Sequence, residues 1–256
     1  MFIADDGTLF TSAGFRLGDA AGEILEGMVS WGPEGALGDT ILQPVFDFEP
    51  EQLSAWDETG RAASTSVPFS PTIVWNISHN RDVICGISRD YRFEIRSPDG
   101  TVTIIERDHE PTEVQADEKL WYERAKIAQM RNIQPGWVWN GPNIRNHKPA
   151  YDVLHPDLSD RIWVRRPGPG VQQLDGTEDP LAGGDWYRNP RWVDSFYLDV
   201  FSDDGRFLGE VVIPEGFQFT PPPYIKDDMV IGLIEDEEGF QTVKRFRLVL
   251  PGSDDR

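Results

Sequence analysis

The feature that most constrains the fold is a recurrent corner in which acidic residues precede a glycine, flanked by stretches of alternating polar and apolar residues. Glycine at the last turn position accepts a positive φ, and aspartate bonds nearby backbone N–H groups. Such corners favour tight hairpins between antiparallel strands. They occur at 5–8, 57–61, 98–101, 203–206 and 237–239.

The stretches beside these corners have the periodicity of strands. Tyr91, Phe93 and Ile95 share one face of the segment 91–96, and charged residues occupy the other face. The segments 197–201 and 207–213 repeat the scheme. A period of two indicates strands with at least one buried face. The sequence therefore predicts an all-β fold of short antiparallel strands.

The corner glycines also repeat at a regular distance. Gly60 and Gly100 are 40 residues apart, and Gly205 and Gly239 are 34 apart. A repeat near 40–45 residues with four short strands is typical of a β-propeller blade. We therefore predict a single β-propeller domain over 1–256 with about four visible four-stranded blades. The predicted blades cover 1–45, 68–108, 149–214 and 221–250, and 46–67 is an extra strand pair or a degenerate unit.

Two longer stretches interrupt the repeat. The first, 111–147, is predicted to be a helix-plus-loop insertion between blades, because a partial apolar stripe follows the helix-start signals around Thr112 and Asp117. The second, 167–194, begins with Pro-Gly-Pro-Gly and is predicted to be a long loop within a blade. Long loops in compact domains are often binding elements.

Charge and hydropathy exclude several kinds of partner. The chain has 44 Asp+Glu against 24 Lys+Arg, a net charge of −20. Such a surface repels nucleic acid and anionic lipid, whose binding relies on lysine and arginine. No apolar run approaches the roughly 20 residues of a membrane span. We expect no nucleic-acid partner and no membrane span, and we attribute the acidity to solubility, or to binding of a cation or a basic partner.

Recognisable catalytic and cofactor motifs are missing from the sequence. Cys85 lies in an apolar strand and is predicted to be a buried structural thiol, not a nucleophile. The four histidines, at 79, 109, 147 and 155, lack the spacing of a helical zinc site. The acidic corners lack the 12-residue loop and terminal glutamate of a helix-flanked calcium site. We therefore predict no cofactor and no metal, and the sequence leaves open whether the protein is an enzyme.

Tryptophans are concentrated in the middle of the chain, where six of the nine lie between 121 and 192. Such clusters can stack on sugar rings or on apolar groups of a partner, and they can equally fill space between blades. Both interpretations stay open here. The candidate ligand-binding residues are Trp137, Trp139, Trp186 and Trp192.

Several short sequences resemble parts of a known family. DDGRFLG at 203–209, after DVF at 199–201, resembles the outer hairpin of an NHL-type blade, and DRIWV at 160–164 resembles its second strand. A longer series of motifs resembles the motif order of uncharacterised bacterial six-bladed β-propeller proteins. The series is VPFSP at 67–71, VW at 74–75, YRFE at 91–94, the predicted helix, PGW at 135–137 and KPAY at 148–151. The resemblance covers nearly the whole chain but only the C-terminal part of such proteins. It implies a propeller and supplies no catalytic residue.

Three functions follow as hypotheses. The first is a propeller interaction module that binds an unknown protein, small molecule or glycan on one face of the disc. The second is a lactonase-like metal-dependent hydrolase at the central channel, for which Asn76 and Asp152 lie on predicted inner strands. The third is a carbohydrate-binding surface built on Trp137 and Trp139.

The first residues and the predicted blade count lead to expectations about localisation and assembly. The first seven residues have neither a basic nor an apolar segment of a secretory signal, which predicts a cytoplasmic chain as it stands. A longer parent with an export signal would be periplasmic or secreted. An incomplete ring would expose blade flanks and strand edges. We therefore expect either that the first strand pairs with the last blade, or that a homodimer covers the open flanks.

Overall fold

The computed structural model describes residues 2–3, 7–16, 24–183, 186–236 and 238–249. It is nearly all-β, with four antiparallel sheets that follow one another along the chain as four blades of a β-propeller, and one α-helix. This confirms the predicted fold class.

The sheets occupy successive parts of the chain. The first contains β1 (Phe2–Ile3), β2 (Leu9–Arg16), β3 (Ile24–Trp31) and β4 (Leu37–Leu42). The hairpin of β5 (Gln52–Trp56) and β6 (Ala62–Ser66) follows. The second sheet contains β7 (Ile73–Ile77), β8 (Val83–Ile87), β9 (Arg92–Arg96) and β10 (Val102–Glu106).

After helix α1 (Ala116–Arg131) come the other two sheets. The third contains β11 (Val153–Pro156), β12 (Ile162–Gln172), β13 (Trp192–Phe201) and β14 (Phe207–Val211). The fourth contains β15 (Phe217–Gln218), β16 (Tyr224–Lys226), β17 (Met229–Glu235) and β18 (Gln241–Arg247). In this last sheet β15 and β16 share one edge of β17, and β18 pairs with the opposite edge.

The acidic corners are hairpin turns, as predicted. The Asp57 carboxylate accepts hydrogen bonds from the backbone N–H groups of Thr59 and Arg61 at 2.9 Å each, and Gly60 has a φ of 81°. Carboxylates at four other turns accept backbone N–H groups in the same manner, namely Asp99, Asp157, Asp204 and Asp236. The predicted corner at Asp5 and Asp6 lies outside the described residues.

The β12–β13 hairpin is longer than the sequence indicates. β12 continues to Gln172 and β13 begins at Trp192, so the connection covers 173–191 and not 167–194. The Pro-Gly-Pro-Gly stretch does not end the strand because a register shift between Pro167 and Gly170 absorbs it. Proline is tolerated at such bulges, where a ladder hydrogen bond is missing anyway.

Helix α1 confirms the helix predicted within 111–147. The Glu118 carboxylate accepts from the N–H of Gln115 at 3.2 Å, which caps the first turn. The buried stripe is narrow and consists of Trp121, Ala125 and Met130 together with Glu118. No helix in the described part of the chain is long and apolar enough to cross a membrane.

Two apolar layers join three of the sheets. One lies between the second and third sheets and includes Phe93, Tyr151 and Phe201. The other lies between the third and fourth sheets and includes Trp163, Val200 and Ile225. At the inner strands, the Asn76 side chain donates to the carbonyl of Leu154 at 3.0 Å, which ties β7 to β11.

The first strand does not close the ring. β1 pairs with β2 of its own sheet, and no strand pair between described residues joins the first sheet to the fourth. The expected pairing of the first strand with the last blade is therefore not observed. Closure through a homodimer stays a prediction.

A buried carboxylate links the second and third sheets. Asp199 accepts the Tyr91 hydroxyl at 2.7 Å and forms ion pairs with Arg107 and, at 2.8 Å, with Arg166. Its side chain has no exposed surface. Burial and the neighbouring Asp199 charge raise the pKa of the Tyr91 hydroxyl, so that this group stays a donor.

We predict that Asp199→Asn lowers the free energy of unfolding by about 3–5 kcal/mol, because two arginines lose their buried counter-charge. The matched control is Glu210→Gln, which removes an exposed partner of Arg166. Its cost should stay below about 1 kcal/mol. Urea denaturation of both variants measures the difference, and equal costs would contradict the assignment of Asp199 as the link between the sheets.

Candidate functional site

Several connections lie at one end of the strands of the second sheet. Because neighbouring strands are antiparallel, β7 and β9 begin at this end of the sheet, and β8 and β10 end there. The chain leaves this end of the sheet after β10, forms α1 and returns through 145–149 before it enters the third sheet. We call this side, with the segment 107–149, the insertion face.

The hairpin β5–β6 holds one side of the insertion. The indole N–H of Trp137 donates to the Ser54 carbonyl at 2.7 Å, and the Asn140 amide donates to the same oxygen at 2.7 Å. The Lys126 ammonium donates to the Thr65 hydroxyl at 2.8 Å. These bonds surround an apolar cluster that contains Leu53, Val67, Met130, Trp137 and Ile144.

The 173–191 connection holds the other side of α1. The Trp121 indole donates to the Thr177 carbonyl at 2.7 Å, and the Arg124 guanidinium binds the Asp179 carboxylate through two nitrogens at 2.8 and 2.5 Å. Helix α1 therefore lies between two flanking segments and is fixed to both.

A buried lysine joins the insertion to the third sheet. The Lys148 ammonium lies 2.7 Å from the Glu118 carboxylate of α1, 2.6 Å from the Asp194 carboxylate of β13 and 3.0 Å from the Gly168 carbonyl of β12. The side chains of Lys148 and Glu118 have no exposed surface. Burial raises the pKa of Asp194, and the nearby Glu118 adds to this effect while Lys148 opposes it.

The same contact explains one glycine of the β12 bulge. A Cβ atom on Gly170 would lie 2.5 Å from a carboxylate oxygen of Glu118. Any larger residue would displace the Glu118 carboxylate from its contacts with Lys148 and the Gln115 N–H. The glycine therefore serves the close approach of α1 to the third sheet.

Phe69 is the most strained residue beside this cluster. Its φ is 58°, a left-handed conformation that a bulky side chain rarely adopts. Its ring contacts Tyr122 edge-on at 4.9 Å between centroids, and the Lys148 ammonium lies 5.3 Å from the ring centre. Such strain persists only where the surroundings enforce it, and it is concentrated at functional sites.

Phe69 forms one wall of a cleft on the insertion face. The cleft has a volume of about 320 Å³ and lies between the turn after β8 and the return segment 145–149. We call it the insertion cleft. Its walls are formed by Phe69, Pro71, Arg89, His109, Pro111, Arg145, Asn146, His147, Lys148 and Pro149.

The polar groups of the insertion cleft are mainly cationic or neutral donors. Arg89 pairs loosely with the exposed Asp90 at 3.6 Å, and Arg145 binds Glu51 at 2.5 Å. Burial, helped by Arg166 and Arg107, lowers the pKa of His109. The His109 ring is therefore neutral at physiological pH, with one donor nitrogen and one acceptor nitrogen.

The four predicted tryptophans do not form one surface. Trp137 (3% exposed) and the partly buried Trp139 pack against β5–β6, whereas Trp192 (7% exposed) and the partly buried Trp186 pack with Trp121 across α1. A stacking platform needs an open ring face, and Trp137 and Trp192 have none. Ligand binding by Trp139 or Trp186 stays a prediction.

The other sequence candidates have structural partners. Asn76 bonds Leu154, and Asp152 binds Arg165 through both carboxylate oxygens at 2.8 and 2.9 Å. Cys85 is buried, and this burial raises its pKa to about 11. No group of three or more His, Cys, Asp or Glu side chains in the described ranges is arranged to hold a metal ion.

Sequence reasoning missed the insertion cleft as a site. Two of its walls lie in VPFSP at 67–71 and KPAY at 148–151, which carry the family resemblance without any chemical motif. The positive φ of Phe69 and the burial of Lys148 leave no local signal in the sequence. His109 and His147 are 38 residues apart and meet only through the return of the insertion.

Comparisons with known proteins add little. No family model and no curated protein match the sequence. A crystal structure of a DUF4221 family member from Bacteroides vulgatus matches with 9% identity over 88% of this chain and 75% of that chain, at a TM-score of 0.40. A streptogramin B lyase structure matches with 9% identity over 94% and 74%, at a TM-score of 0.29. Neither likeness is close enough to inform function, and the propeller assignment rests on the sheets themselves.

The strain at Phe69 can be measured with a pair of variants. We predict that Phe69→Gly is more stable than Phe69→Ala by about 1 kcal/mol, because only glycine adopts a positive φ without cost. Phe46, a partly buried phenylalanine without a positive φ, supplies the control pair, in which glycine should be the less stable. Thermal or urea unfolding gives the order, and an alanine variant as stable as the glycine variant at 69 would refute the strain.

Proposed function

We propose that this protein is a non-enzymatic β-propeller module that binds a small ligand in the insertion cleft. The observation that carries the proposal is the strained Phe69 in the cleft wall, held between Tyr122 and the buried Lys148. A volume of about 320 Å³ suits a small molecule and lies at the lower end of known ligand sites.

The placement of the cleft supports the same function. Its walls come from four segments, namely the segment before β7, the turn between β8 and β9, the segment after β10 and the return segment of the insertion. Loops on a rigid sheet scaffold supply binding residues while the blades keep their packing. The buried contacts of Lys148 hold the return segment in place without a ligand.

The hydrolase and glycan hypotheses have less support. A lactonase-like site would need Asn76 and Asp152 free for a metal, and both have protein partners. A glycan surface would need exposed tryptophan faces, and Trp137 is buried. Membership of the NHL-like six-bladed group stays part of the proposal.

We also propose that a second copy of the chain covers the outer flank of the fourth sheet. β17 is apolar on both faces: Val230 packs toward the third sheet, while Ile231 and Leu233 lie on the opposite face with Val243, which is 67% exposed. Strands of this kind are normally covered on both sides.

Charge favours a second copy as the occupant. Residues 240–249 carry three cations and no carboxylate, whereas residues 1–60 carry twelve carboxylates and one arginine. The cationic flank of one copy is therefore complementary to the acidic first quarter of another.

The cleft proposal predicts ligands that depend on Phe69. A fragment library screened by thermal shift and NMR should yield compounds whose affinity falls at least about tenfold in Phe69→Ala, since the ring forms a cleft wall. The control is Trp56→Ala, which removes an aromatic ring that is 51% exposed on β5. A second variant, His147→Trp, fills the cleft from the opposite wall. A library without hits, or hits insensitive to both cleft variants, would refute the proposal.

The assembly proposal predicts a dimer in solution. Light scattering during size exclusion should give about twice the 29.0 kDa chain mass, with dissociation at high salt. Val243→Glu should yield monomer, whereas Val138→Glu, at a site that is 69% exposed on the insertion, should not. A monomeric wild type across a concentration series would contradict the assembly.

A further inference from the structure

We infer that the ligand of the insertion cleft is a small organic anion, an oxyanion group of the carboxylate or phosphate type attached to a compact apolar ring. This inference rests on the proposed binding function and specifies its ligand class. It is drawn from the charge of the cleft walls, from the groups that can reach an anion, and from the apolar residues beside them.

The insertion cleft differs in charge from the rest of the surface. None of its wall residues is an aspartate or glutamate, although carboxylates outnumber cations by 44 to 24 in the chain. Three other concavities of the described residues have two or three carboxylates in their walls. A fourth concavity, between the third and fourth sheets, also has no carboxylate, but its walls are apolar apart from one arginine. The insertion cleft instead combines the absence of carboxylates with two arginines and two histidines.

Several donors can reach an anion in the cleft. Among the described residues Arg89 has one ion pair, an exposed pairing with Asp90 at 3.6 Å, and such a pairing costs little to exchange for a ligand. Arg145 keeps Glu51 on one side of its guanidinium and has further N–H groups to offer. At the rim, the Lys119 ammonium donates to the wall residue Asn146 at 3.0 Å and adds positive charge.

The buried Lys148 does not add to this charge. Glu118 and Asp194 compensate its ammonium inside the protein. Its role is to fix the return segment that carries Arg145 and His147. The attraction for an anion therefore comes from the side chains at the cleft surface.

The apolar part of the cleft limits the rest of the ligand. Phe69 and three prolines, Pro71, Pro111 and Pro149, contribute flat apolar surfaces to the walls. A ring packed on these surfaces would bring an attached oxyanion toward the arginines. A free inorganic anion would leave this surface uncovered, so that an amphiphilic anion fits better.

His109 connects ligand binding to protons. It faces Arg107 and Arg166, with Asp199 behind them, and its ring lies 5.5 Å from that of Tyr91. A bound anion would favour the protonated imidazole. Because the pKa of His109 lies below the usual 6.5, affinity for the anion should rise as the pH falls toward and below 6.5, beyond any change in the charge of the ligand itself.

The experiment uses the full chain and matched probes. Benzoate, phenyl phosphate and inorganic phosphate are titrated by NMR and calorimetry beside the neutral isosteres benzamide and benzyl alcohol. We expect the ring-bearing anions to bind at least about tenfold more tightly than their isosteres, as charge-assisted hydrogen bonds provide. Inorganic phosphate should bind more weakly than phenyl phosphate.

Variants locate the binding. Arg89→Ala and Arg145→Gln, alone and together, should lower anion affinity, the double variant by about tenfold or more. Arg206→Ala removes the same charge on the exposed turn between β13 and β14 and should leave affinity unchanged. Circular dichroism and urea unfolding establish that each variant is folded, and Arg89, on an exposed turn, is the variant least able to disturb the core.

The outcomes separate the two proposals. Anion binding that depends on Arg89 and Arg145 supports the inference. Equal affinity for anions and neutral isosteres, with loss in Phe69→Ala, overturns the anion class and leaves the cleft as a binding site. Anion binding that is insensitive to the cleft variants also overturns the inference. Absence of any ligand, charged or neutral, overturns the proposed function itself.

Discussion

The buried ammonium group of Lys148 holds together three segments that are distant in the sequence. It lies between the first turn of α1 and strands β12 and β13 of the third sheet, and it belongs to the segment that returns from the insertion. A lysine without exposed surface is unfavourable unless it is paired and hydrogen-bonded. Removing either carboxylate would leave the ammonium with one of its two charged partners, and removing both would leave it unpaired. The insertion is therefore fixed to the blades by the requirement to keep this charge satisfied.

Two energetically unfavourable features lie close to this lysine. Phe69 has a left-handed backbone, and Gly170 permits a contact that a Cβ atom would prevent. Away from this region the fold uses ordinary hairpins, whose aspartates bond their own turns. Positive φ also occurs at the polar turn residues Arg81, Asp160 and Asp227, and the buried Asp199 cluster lies between two blades. Among the described residues, a left-handed aromatic residue and a buried lysine occur together beside the insertion cleft. This distribution is the physical basis for regarding the cleft as the functional part of the molecule.

Charge is distributed unevenly over an acidic chain. Most carboxylates of the described residues lie on exposed turns and strand ends. The insertion cleft and the flank of β18 are exceptions, and the two have different physical uses. The cleft combines cations with apolar walls in a concave site. The flank combines cations with the apolar face of an edge strand, which discourages indiscriminate pairing of that edge.

The sequence by itself determined the class of fold, the order of the blades and most strand positions. In the second sheet the segments 72–78, 83–88, 91–97 and 101–107 were predictable to within a residue or two, because corner residues and a period of two are local properties. The hairpin at 52–66 was predictable for the same reason, and the helix was predictable from its start signals and partial apolar stripe. The extent of β12 and β13 was not, since a bulge set by pairing with β13 carries the strand through two prolines.

The site was decided only by the tertiary structure. No sequence motif marks the cleft residues Phe69, Arg89, His109 and Arg145. They lie close together because the insertion leaves the second sheet and returns at the same end of its strands. The tryptophans that stand out in the sequence mostly pack inside the protein, because a large apolar ring gains more from burial than from exposure. Local patterns specify turns and strands, whereas the pairing of a buried lysine and the shape of a cleft depend on contacts between residues far apart in the chain.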